Sequence, residues 1–129
     1  MSSNDISLAV IQARNLSKTV EEVFKDKIKQ PTTKIVGVGS VFGYGIAEML
    51  NNKNPFTIED LTTVTETLVG KTDADSTLSS VLGGGDYASY EGSNAILVLG
   101  YMQTLKIQQM QIMNVNNADG AMIYEPFWH

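Results

Sequence analysis

Residues 93–115 carry one charge, Lys106, and place apolar side chains nearly all round a helix axis. Those side chains are Ile96, Leu97, Val98, Leu99, Tyr101, Met102, Leu105, Ile107, Met110, Ile112 and Met113. The remaining polar groups are amides and a hydroxyl: Gln103, Thr104, Gln108, Gln109 and Gln111. A helix that is apolar on every side must be covered on every side. The segment therefore predicts a long helix over 93–115, started by Ser93 or Asn94. Its cover comes either from the rest of this chain or from a neighbouring copy.

A second long helix is expected over 5–30. Ile6, Ala9, Val10, Ala13, Leu16, Val20, Val23, Phe24 and Ile28 recur at helical spacing on one side. Arg14, Asn15, Lys18, Glu22, Lys25 and Asp26 occupy the other side. Ser3, Asn4 or Asp5 can cap its start by accepting bonds from free backbone N–H groups. Pro31 stops it, because the residue before a proline avoids helical geometry. The lysines near its end read as a solvated face.

Thr57 caps a shorter helix over 58–69, with Asp60 three residues on as the partner in a capping box. Phe56 and Leu61 flank that cap as a hydrophobic staple, and Gly70 is a natural stop. Residues 34–50 read either as a strand at Lys34–Phe42 or as a helix aligning Val38, Phe42, Ile46 and Leu50. Four glycines at 37, 39, 43 and 45 weaken the helix, each by about 1 kcal/mol. Gly39 and Gly43, four apart, would let another backbone approach closely. Residues 70–92, rich in Gly, Ser, Asp and Thr, form a surface loop or are ordered by a neighbouring subunit. The whole chain, 1–129, is thus expected to be one mainly α domain of about four helices. A short strand or extended arm follows at Ala121–Tyr124, and the tail with Phe127 and Trp128 docks on its own domain or on a neighbour.

Charge and residue usage exclude several functions. Residues 1–60 hold seven bases and seven acids, whereas residues 61–129 hold two bases and seven acids, so the net charge of −5 sits in the second half. With a single arginine, the chain lacks the cations that replace phosphate counterions, and no nucleic-acid partner is expected. No cysteine is present, which removes disulfides, thiolate metal sites and thiol nucleophiles. No basic-then-apolar leader opens the chain and no run of about 18 apolar residues crosses a bilayer, so the expected compartment is the cytoplasm.

Three chemical patterns fail on inspection. Gly39, Gly43 and Gly45 fit a G-x-x-x-G-x-G phosphate turn, but position 42 is Phe where the commoner dinucleotide spacing from Gly37 needs Gly. Only 84 residues follow Gly45, too few for a dehydrogenase sheet, and no Tyr-x-x-x-Lys pair exists. Asp73, Asp75 and Thr77 begin a calcium-loop pattern that breaks at Leu78 and Gly84. His129 is the only histidine, and no acid or nucleophile stands at a spacing from it that the sequence marks as catalytic. No enzyme activity, metal or cofactor is expected.

Through the C-terminal third run, in order, Tyr90, the uncharged helix Ala95–Leu105, the cluster Gln108-Gln109-Met110-Gln111-Ile112, the small-residue stretch 116–120 and the pair Ile123-Tyr124. In these features it resembles the R-body (refractile body, killing-trait) family. The helix here is rich in Ile, Leu, Val and Met where the family's is rich in alanine, and the N-terminal half has no counterpart. The resemblance implies a subunit of an insoluble coiled ribbon that extends to rupture membranes.

These readings converge on a structural protein that assembles with itself into a filament, ribbon or ring through apolar helix faces. The residues expected to carry the contacts are Gly39, Gly43, Leu97, Tyr101, Met102, Leu105, Met110, Met113, Phe127 and Trp128. The methionines would fill an interface that repacks, or simply the core. The competing expectation is an adaptor whose acidic second half meets a basic protein surface.

Overall fold

A computed structural model describes residues 1–71, 88–115 and Ile123. The described fold is mainly helical, as expected, with a small three-stranded sheet at one end. Helix α1 spans Ser3–Ile28, and strand β1 is Val36–Gly37. A π-helical stretch at Val41–Ile46 runs straight into the short helix α2, Ala47–Met49. Strand β2 is Phe56–Thr57 and leads directly into α3, Ile58–Glu66. Helix α4 is Ala88–Leu105, and β3 is Gln109–Ile112.

Helix α1 starts at a reciprocal cap one residue ahead of the expected ones. The Ser2 hydroxyl accepts from the Asp5 N–H at 3.1 Å, and the Asp5 carboxylate accepts from the Ser2 N–H at 2.7 Å. Its buried stripe is narrower than the apolar periodicity suggests. Ile6, Ala13 and Ser17 are buried, and Val10, Val20 and Ile28 pack against the core. Leu16, Val23 and Phe24 are exposed. Part of the reason is length: helix α4 is the main partner of α1, and its 18 residues cover only part of the 26-residue length of α1, which leaves Val23 and Phe24 bare. At about 1.5 Å per residue, α1 is roughly 12 Å longer. Leu16 lies alongside α4 but on the flank of the stripe, where it borders a shallow groove with Leu97.

Small side chains set the distance between these two helices. A Cβ on Gly100 would collide with the Ala13 side chain and would lie 3.1 Å from the Arg14 backbone nitrogen. The gap is closed further by polar contacts that converge on one carbonyl. The Ser17 hydroxyl donates to Arg14 O at 2.9 Å, and the Thr104 hydroxyl donates to the same oxygen at 3.3 Å across the interface.

The second long helix differs from the expected 93–115. It begins at Ala88 and ends at Leu105, and residues 109–112 form a strand instead. Lys106 adopts the left-handed conformation, with φ 56°. The Ile107 N–H then bonds back to Met102 O at 2.9 Å, and the Lys106 N–H to Gln103 O at 3.4 Å. This pair of bonds is a Schellman stop, built here on a lysine where glycine would have been visible as a terminator. The apolar character of 107–113 belongs to a central strand: Met110 is buried and Ile112 packs on the core.

The sheet order is β1-β3-β2. Strand β1 runs parallel to β3, with Val36 opposite Gln111 and Gly37 opposite Ile112. Strand β2 runs antiparallel to β3, with Phe56 opposite Met110 and Thr57 opposite Gln109. Asn54, beside a cis peptide to Pro55, extends the pairing with its side chain. Its amide donates to Ile112 O at 2.8 Å and accepts from the Ile112 N–H at 2.9 Å.

Residues 34–50 resolve into both readings in turn, a strand and then a helix. Gly39, at φ +86°, makes the turn between them, a conformation that favours glycine. The Phe42 ring occupies the space a Gly37 side chain would need. At α3 the expected signals hold. Thr57 and Asp60 form the capping box, and Phe56 and Leu61 are fully buried. Lys53 adds an ion pair to Asp60 at 2.7 Å. The helix ends at Glu66, three residues before the expected 69, and Gly70 follows at φ +79°.

Helix α4 is covered inside the chain by α1, α3 and the π-helical stretch. Ala95, Ile96, Val98, Leu99, Met102 and Leu105 join Ile46, Phe56, Leu61 and Leu68 in one core. Two stability measurements check this account. Helix propensity alone has Gly100→Ala gain about 1 kcal/mol. The collision with Ala13 instead predicts a net loss of about 1–2 kcal/mol in urea unfolding. At the Schellman stop, Lys106→Gly relieves the left-handed lysine and should raise stability by about 1 kcal/mol; a drop in midpoint would contradict the assigned turn.

Candidate interaction surface

The expected contact residues scatter when placed in the fold. Met102, Leu105 and Met110 are buried in the chain's own core. Tyr101 is half-buried against it. Gly39 forms the turn after β1, and Gly43 lies in the π-helical stretch, where a Cβ would sit 3.4 Å from the Asn114 side chain. Leu97 and Met113 remain exposed, at 43% and 50%. They stand on different elements, Leu97 on α4 beside α1 and Met113 just beyond β3, where its N–H bonds to Gly37 O. Phe127, Trp128 and the expected arm at 121–124 lie outside the described residues, apart from the backbone position of Ile123. The 70–92 loop is likewise undescribed over 72–87.

Among the described residues, α1 carries more exposed large apolar side chains than any other element: Leu8, Ile11, Leu16, Val23 and Phe24. Leu16 is 57% exposed and Val23 is 73% exposed, with Ala9 also in solvent. These three are seven residues apart, nearly two helical turns, so they share one face. Asp5 lies on that face toward its start and Lys27 toward its end, both exposed. Beside it, Ala9, Ala13 and Leu16 of α1 meet Ile96 and Leu97 of α4 in a shallow apolar groove, with Asp5 at its rim. The side chains that line the groove follow from the close α1–α4 approach. Short residues at 9, 13 and 100 leave a valley, and Leu16 and Leu97 rise on either side.

A second feature is a lone buried carboxylate. Glu91, in the first turn of α4, is only 6% exposed, and its Oε2 has no hydrogen-bond partner among the described residues. It faces the π-helical stretch, where a Cβ on Gly45 would lie 3.9 Å from the Glu91 side chain and 3.9 Å from Ser40 O. Burial, and secondarily the charge of Glu48, pushes the Glu91 carboxyl above its ordinary value. Among the described residues, no group of three or more His, Asp or Glu side chains could hold a metal ion. The strand–glycine turn–helix at 36–49 has its Gly39 N–H engaged by Val115 O at 3.1 Å.

No family model matches the chain, and no curated protein or solved structure is significantly similar to it. The functional reading therefore rests on the surface alone. No described helix is long and apolar enough to cross a membrane. Sequence reasoning did not single out Glu91, yet it is the only charged residue between Asp86 and Lys106. It also missed the outward side of α1, because all nine apolar positions were grouped as one buried stripe.

The buried acid has a measurable consequence. A carboxyl with a raised folded-state value binds its proton more tightly when folded than when unfolded. Stability is then lost as pH rises through the window between the two values. Glu91→Gln should therefore melt higher than the wild type at pH 7, and the gap should shrink toward pH 4. A gap that widens in acid would contradict the burial of this group.

Proposed function

We propose that this protein is a non-catalytic building block that associates with further copies of itself through apolar helix surface. One observation carries the reading. A helix whose inner side is already buried keeps Leu16 and Val23 in solvent, and Leu16 borders Leu97 of its partner helix. Contiguous apolar surface of this kind marks interaction sites in soluble proteins. The reading moves the contact from the all-round apolar helix to α1, since α4 finds its cover within the chain.

Further apolar surface supports growth beyond a pair. Val36, Val38, Met113 and Val115 are exposed around β1, which is an edge strand. A chain with two unlike contact surfaces builds open assemblies, whereas one self-complementary surface closes into a dimer. The R-body resemblance points the same way, toward a repeating subunit of a ribbon.

Sedimentation across a concentration series tests the proposal. The wild type should associate at micromolar concentrations. Leu16→Glu should raise the dissociation constant about tenfold or more, because each contact loses a buried leucine. Since Leu16 is exposed, the circular dichroism spectrum of the variant should match the wild type. A wild-type chain that stays monomeric at several hundred micromolar would sink the reading and leave the adaptor alternative, with a different protein on this surface.

A further inference from the structure

We infer that two copies of the chain pair through their α1 helices, antiparallel, about a two-fold axis at Leu16. The inference rests on the self-association reading and adds to it the register and the direction. Its basis is the order of residues along one exposed face: Asp5, Ala9, Leu16, Val23 and Lys27.

A two-fold axis at Leu16 brings position i of one copy opposite position 32 − i of the other. Leu16 then meets Leu16 of the second copy, at the centre. Ala9 meets Val23, so the smallest apolar residue on the face receives the bulkier branched one, twice over. Asp5 meets Lys27, so each end of the pair closes on opposite charges. The isologous contact thus matches size and charge at these five positions, while Gln12 and Val20, about 40° to either side of the centre line, meet each other at its flanks. A parallel pair in the same register would set Asp5 against Asp5 and Lys27 against Lys27. It would also set Val23 against Val23 and leave a void between the two alanines.

Other features favour the antiparallel sense. Antiparallel helices place the negative end of one macrodipole beside the positive end of the other. Asp5 is ionised in place, since its bonds to Ser2 hold the carboxyl below its ordinary value. Arg14, Lys18, Glu21 and Glu22 lie on other faces of α1 by helical spacing, so the centre of the contact buries no charge. Leu97 rises beside the α1 face in each copy and would shield the central leucines from one side.

The chain has no cysteine, so single cysteines report distances between copies without interference. The full chain carrying Leu16→Cys should form a disulfide-linked dimer under mild oxidation. Ala9→Cys mixed with Val23→Cys should give a linked dimer containing one of each, while each alone stays largely unlinked. Ile11→Cys, exposed on another face of α1, should stay unlinked. Lys27→Glu should weaken association about fivefold, as expected for two lost exposed ion pairs.

Three results would overturn the inference. Ala9→Cys and Val23→Cys each linking to themselves would establish a parallel pair. An associated protein whose Leu16→Cys variant does not link would place the contact elsewhere and leave the self-association reading standing. Absence of association in the wild type would remove both.

Discussion

The closeness of α1 to α4 at Gly100 and Ala13 governs the rest of the molecule. Without a side chain at position 100, the two backbones come near enough for the Thr104 hydroxyl to reach Arg14 O. That approach covers one side of an almost uncharged helix with a stripe of short side chains. The other sides are then left for α3 and the π-helical stretch. A wider spacing would leave α4 partly bare, and a helix of that composition is not stable in water. The same spacing creates the groove between the helices and leaves Leu16 and Leu97 on its rims.

Much of this was legible in the sequence where local chemistry decides the outcome. The Thr57–Asp60 box and the Phe56–Leu61 staple are short-range motifs, and they appear where the residues place them. The mainly helical class follows from periodicity over long segments. The end of α4 was not legible, because its stop is built on Lys106, a residue with no reputation for left-handed geometry. The identity of β3 was hidden for a related reason. It alternates Gln109 and Gln111 with the inward Met110 and Ile112, but four residues are too few for that alternation to stand out from the apolar run of the helix before it.

The surface was legible only in part. The periodicity of α1 gathered nine apolar positions on one side, left out Leu8 and Ile11, and could not say how wide a stripe a partner would cover. That width depends on the length of α4 and on the small residues at the crossing, both facts of the tertiary structure. Leu97 and Met113 were picked out for being apolar and are exposed. Met102, Leu105 and Met110 were picked out on the same grounds and are interior. Hydrophobicity alone does not distinguish a core residue from a contact residue, and here the distinction comes from what already stands in front of each.

The position of β3 bears on how the chain reaches its native state. It is the latest of the three strands to leave the ribosome, yet it is the only one bonded to both others. β1 and β2 do not pair with each other, so neither has a sheet partner until residue 112 is available. Helix α1 likewise waits for α4, which starts at Ala88, 60 residues after α1 ends at Ile28. During synthesis the growing polypeptide therefore carries an uncovered amphipathic helix and two unpaired extended segments. Compaction then waits until residues 88–112 have emerged, and these residues complete structure begun by residues 3–57.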